Sequence, residues 1–149
     1  MTILLVCGNK YTGRTRISYS LSNILNIPIL DIEDIVSNGI NRESLNKIES
    51  YILENRKKDF VINCSGLEEF LDDYLTDINT LRILLSLNKK TLSDLHVDKN
   101  ITTTNLLNSI EKYKDMNIDL NGYEIDAIKY SELDIVFTII DLFDYHKDK

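Results

Sequence analysis

Eight residues near the start of the chain, Gly8 to Thr15 ("GNKYTGRT"), have types and spacing suited to holding a phosphate group. Gly8 permits a sharp change of direction, and Gly13 lets the backbone approach an anion closely. The Thr15 hydroxyl stands where a magnesium ligand is needed, and the backbone N–H groups from Asn9, Lys10, Tyr11, Thr12 and Gly13 onward can converge on one spot. Other reactive side chains are few. A hydrolytic site needs a nucleophile with an oriented base, and the only two histidines, His96 and His146, fall in polar or charged segments that suit a solvated surface. Cys7 and Cys64 lack metal-ligand spacing, and two cysteines make no disulfide scaffold, so each reads as a small buried hydrophobe ending an apolar run.

The elements around the loop give it its context. "ILLVC" (Ile3 to Cys7) is a continuous apolar run closed by glycine, as expected of a strand buried on both faces. From Thr15 onward Ile17, Leu21, Ile24 and Leu25 recur at helical spacing, so a helix starts at the end of the loop, where its dipole favours an anion. Pro28 closes that helix, and "IPILD" is expected to be a second strand ending at Asp31. Asn41 can cap a helix with Leu45, Ile48 and Ile52 on one face. "FVINC" (Phe60 to Cys64) is a third strand. Ser65 and Glu68 have capping-box spacing before a stripe of Leu67, Phe70, Leu71, Tyr74 and Leu75. This βαβαβα order predicts a mainly parallel sheet wrapped by helices.

Later segments are less defined. "LRILLSL" (Leu81 to Leu87) fits a strand or a helix. The spacing of Leu106, Leu107, Ile110 and Tyr113 predicts a helix, "NGYE" around Gly122 a turn, and "DIVFTIIDLF" (Asp134 to Phe143) a last strand.

At 149 residues the chain suits a single domain, 1–149, able to bury a real core. A net charge of −7 and a pI near 4.8 argue against a nucleic-acid partner. With no apolar run long enough for a membrane span and no leader pattern, the expected location is cytoplasmic.

Taken together, these residues resemble the P-loop small-molecule kinases, shikimate kinase and its adenylate- and cytidylate-kinase relatives, over roughly residues 2 to 70. Those proteins open with a strand, a GxxxxGK[ST] loop, a helix and a second strand ending in an acidic pair. Here the corresponding residues are Gly8, Gly13, Arg14 and Thr15, with Asp31 and Glu33 as the pair. The resemblance implies a three-layer α/β fold, ATP or GTP with Mg2+ as cofactor, and a metal held by Thr15 and Asp31. It also implies that Asp31 is a magnesium partner or base, with Arg42 and Gly66 on the substrate side. Asp31, Glu33 and Asp34 would equally serve to cap a following turn or helix. A kinase-like sheet order would also place Cys7 and Cys64 on adjacent strands. ParA- and MinD-type ATPases align less well, because Asn9 replaces their signature lysine and the aspartate that closes their strand is either replaced by Asn63 or absent.

The departures concern activity. Arg14 replaces a compact lysine charge with a planar fork, Lys10 is the other loop cation, "NCSG" keeps one glycine, and no arginine follows Arg82 to build a lid. The expectation is therefore a nucleotide- or phosphate-binding protein with weak or absent kinase activity. The alternative is a degenerate domain that has become a protein-interaction or regulatory module.

Overall fold

Mainly apolar runs decide where the central strands fall. The computed structural model describes residues 2–8, 12–64, 67–75, 79–86, 122–127 and 130–147. β1 (Ile3–Gly8) and β3 (Phe60–Cys64) are buried at every position. They pair in parallel from Ile3↔Phe60 to Cys7↔Cys64, while the other edge of β1 pairs with β4 (Thr80–Ser86) from Ile3↔Thr80 to Gly8↔Leu85. β2 (Ile29–Asp31) flanks β3, and β5 (Gly122–Asp126) flanks β4. The sheet order is β2-β3-β1-β4-β5, parallel throughout.

Alternation along the strands feeds two cores. Ile3, Leu5, Cys7, Phe60, Ile62 and Cys64 point to one face of the sheet. There they meet Ile32 of α2 (Ile32–Ile35), Ile48 and Ile52 of α3 (Arg42–Asn55), and Leu71 and Leu75 of α4 (Glu68–Leu75). Leu4, Val6, Val61, Ile83 and Leu85 point to the other face and meet Ile17 and Leu21 of α1 (Arg14–Leu25) and Ile135, Ile139 and Phe143 of α5 (Glu132–Lys147). This is the three-layer α/β arrangement expected from the sequence, and burial on both faces is what a parallel sheet requires. Cys7 and Cys64 are register partners on adjacent strands, both buried and neither in a disulfide. Asn41 caps α3 as expected: its Oδ1 accepts from Ser44 N–H while Ser44 Oγ accepts from Asn41 N–H, each at 2.9 Å.

Two expectations are corrected. Asp134 to Phe143 lie within the helix α5, not a strand. The residues that reach the core, Ile135, Val136, Ile139 and Phe143, follow helical spacing, and Ser131 Oγ accepts from Asp134 N–H at 3.1 Å at the helix start. Gly122 begins β5 where a turn was expected, and Tyr123 and Ile125 pack on the core while Glu124 faces outward. The ambiguous run after Leu81 is strand β4. The helix expected around Leu106 to Tyr113, together with Ser65 and His96, lies outside the described residues. No helix among the described residues is long and apolar enough to cross a membrane.

Candidate functional site

The first three strands deliver their C-terminal ends to one corner of the sheet, where α1 begins, and ligands of open α/β sheets bind beyond such ends. Gly8 ends β1 at φ 149°, and a Cβ placed there would lie 2.9 Å from both the Leu85 carbonyl oxygen and Thr12 Oγ1. A side chain at this position would therefore collide with the neighbouring strand. Gly13 is the N-cap of α1 at φ 75°, a left-handed conformation that glycine takes without penalty. It brings no side chain to satisfy the first N–H groups of the helix, so these groups carry the partial positive charge that attracts an anion. Asn9, Lys10 and Tyr11 fall outside the described residues, as does Gly66.

Arg14, the residue in the lysine position, turns inward. Its side chain is 1% exposed, and Arg14 is the one charged residue among the described residues that is buried. Nε donates to Asn63 Oδ1 at 2.7 Å, Nη1 donates to the Gly8 carbonyl, and Nη2 donates to Glu33 Oε2 at 2.7 Å, completing an ion pair with Glu33. A buried guanidinium is tolerated only with such compensation. The fork thus ties the end of β1 to the end of β3 and to α2.

The same oxygens knit in the other candidates. Thr15 Oγ1 donates to Glu33 Oε2 at 2.8 Å, so one carboxylate oxygen receives both Arg14 and Thr15. Asn63, fully buried at the end of β3, donates from Nδ2 to Thr15 Oγ1 at 3.2 Å and to Asp31 Oδ1 at 3.0 Å. The orientation of its amide follows from its neighbours, since arginine can only donate and an ionised carboxylate only accept. Ser18 Oγ adds a longer bond to Asn63 Oδ1 at 3.4 Å. Asp31 caps α2 by accepting from Asp34 N–H at 3.2 Å, and its other oxygen accepts from Tyr19 OH at 2.7 Å. That bond to Asp31, with some burial and the nearby charges of Asp31 and Asp34, pushes the Tyr19 hydroxyl up to about 12.

Arg14, Thr15 and Asp31 are therefore brought together, and Glu33, Asn63 and Tyr19 join them. Arg42 is not bonded into this group: it is exposed at the start of α3, in an open surface groove with Lys47, Ser50 and Tyr51. Asn63 carried a readable signal, being the one polar residue inside the apolar run "FVINC". Tyr19 lies one helical turn after Thr15, a spacing that marks a shared face.

No protein-family model matches the chain, and no curated protein matches its sequence. Solved structures do match. A gluconokinase from Sinorhizobium meliloti 1021 superposes with a TM-score of 0.72 at 14% identity, covering 99% of this chain and 94% of its own. The YorR protein from Bacillus subtilis, in complex with phosphorylated GDP, gives 0.68 at 18% identity over 99% and 98%. Shikimate kinase from Aquifex aeolicus vf5 gives 0.60 at 15% identity over 99% and 98%. The chain has the P-loop kinase fold.

Proposed function

We propose that this chain is a nucleotide- or phosphate-binding protein on the small-molecule-kinase fold, with phosphoryl transfer weak or absent. The observation that carries the reading is the inward Arg14. A P-loop lysine works by reaching the β- and γ-phosphates, whereas the Arg14 fork is spent on Gly8, Asn63 and Glu33. The N-terminus of α1 behind Gly13 keeps the features of an anion cradle, and Lys10 is the remaining loop cation. ATP or GTP is the ligand the architecture suits. One neighbour was solved with phosphorylated GDP and another, a shikimate kinase from Acinetobacter baumannii, with shikimate. Acidic composition argues against nucleic acid and suits a cytoplasmic location.

Calorimetric titration with ATP and GTP, paired with a phosphoryl-transfer assay, tests this. The expected result is an affinity of about 1 mM or tighter, near −4 kcal/mol, with turnover far below the roughly 1–100 s⁻¹ of working kinases. Turnover in that range would overturn the inactive half of the proposal. Absence of binding to either nucleotide would favour a second reading, a protein-interaction or regulatory module. The self-sufficient Arg14–Asn63–Glu33 network, complete without any ligand, is the observation behind that alternative.

A further inference from the structure

Magnesium is the metal that the fold implies, and Thr15 and Asp31 are the residues expected to hold it. The donor set does not fit. Magnesium demands oxygen ligands at about 2.0–2.1 Å in near-octahedral order. The space between Thr15 Oγ1 and Asp31 Oδ1 is instead taken by the Asn63 amide nitrogen, 3.2 and 3.0 Å from the two oxygens. The neighbouring acid, Glu33, already carries a full positive charge against Oε2 in the Arg14 guanidinium. Among the described residues no group of three or more His, Cys, Asp or Glu side chains is placed to hold a metal ion.

We infer that this site works without a divalent metal, with the Arg14 guanidinium and the Asn63 carboxamide standing in the cation's place. Arg14 neutralises Glu33, and Asn63 bridges Thr15 to Asp31 as a bound cation would. Asn63 and Glu33 are thus positioning residues: they hold Arg14 and Thr15 in one arrangement with or without an anion on the loop. The inference concerns the same corner as the proposed phosphate loop, but its outcome is read on the free chain.

Manganese serves as the probe, because the electron paramagnetic resonance of the free ion reports its uptake directly. The unliganded wild-type chain should leave the free Mn2+ signal unchanged and melt at the same temperature in Mn2+ as in EDTA. Asn63→Asp removes the bridging N–H groups and sets a carboxylate beside Asp31, where like charges repel unless a cation intervenes. Its Mn2+ affinity should rise at least about tenfold, the scale on which groups around a metal site act, and its melting temperature should rise with Mn2+. Uptake of one equivalent of Mn2+ by the wild type as tightly as by Asn63→Asp would overturn the inference. Should Asn63→Asp not fold, the wild type decides the matter against Thr15→Ala, because a Mn2+-dependent rise in melting temperature that Thr15→Ala abolishes is the contrary result. Inorganic phosphate, titrated in EDTA and in Mg2+, separates the two proposals. Equal affinity in both supports the inference, at least about tenfold tightening by Mg2+ overturns it, and no binding in either counts against the phosphate loop while the Mn2+ result stands.

Discussion

Tyr19 shows how a single side chain reports on the corner of the sheet. Its hydroxyl is pushed up to about 12 chiefly by the bond it donates to Asp31. A folded-state value above the ordinary 10 means that the bond contributes its stability fully below pH 10 and loses it as pH rises toward about 12. In an ultraviolet titration, the difference between wild type and Tyr19→Phe should therefore show one phenol ionising near 12. A difference curve centred near 10 would mean that the bond is not held in solution. At this scale the sequence was informative about identity more than about direction. Gly8, Gly13, Thr15 and Asp31 were legible from loop spacing and strand ends. The inward turn of Arg14 was not, because it depends on Asn63 and Glu33 arriving from β3 and α2, and residue 14 carries no local mark of those distant acceptors.

Between residues and fold, the helix caps make a sharper test than the apolar runs. The reciprocal Asn41–Ser44 bonds begin α3, whose Ile48 and Ile52 plug one core. Replacing Asn41 by alanine should cost about 1 kcal/mol in chemical denaturation, with the denaturant slope unchanged because the same surface is exposed on unfolding. β1 and β2 were readable because Gly8, Pro28 and Asp31 punctuate them, and β3 because the apolar run "FVINC" is followed by the capping signal of Ser65 and Glu68. The last helix was not: Leu133 and Phe137 of α5 are apolar yet exposed, which blurred the helical period and left a run rich in β-branched residues that imitates a strand. The cue that would have corrected it is Ser131, three residues before Asp134 and bonded to its N–H. The edge strand β5 hid behind Gly122 for a similar reason, since a glycine opening a strand looks like one making a turn.

For the molecule as a whole, Asp59 fastens parts that are far apart in the chain. Its carboxylate accepts from Thr2 N–H at 2.7 Å at the entrance to β1 and pairs with Lys147 Nζ at 3.0 Å at the end of α5. Burial alone would raise this carboxyl, but the Thr2 N–H, Lys147 and the chain's amino terminus together hold it below its ordinary 3.8. A lowered folded-state value gives stability that is present above 3.8 and lost as pH falls below it. Asp59→Asn should thus melt below wild type at pH 7, by an amount that shrinks as both are taken into acid. A gap that stays constant with pH would assign the effect to packing. The order of the strands has a kinetic meaning as well. β1, which leads into the loop, is made before both of its neighbours, yet it lies between β3 and β4, and its entrance bonds Asp59 and Asn79 across sequence separations of 57 and 77. Closing contacts of that span is slow. The loop is therefore written early and assembled late: until residues 60–64 and 80–86 have been made, Arg14 has no Asn63 to bond and Gly8 no strand to turn against.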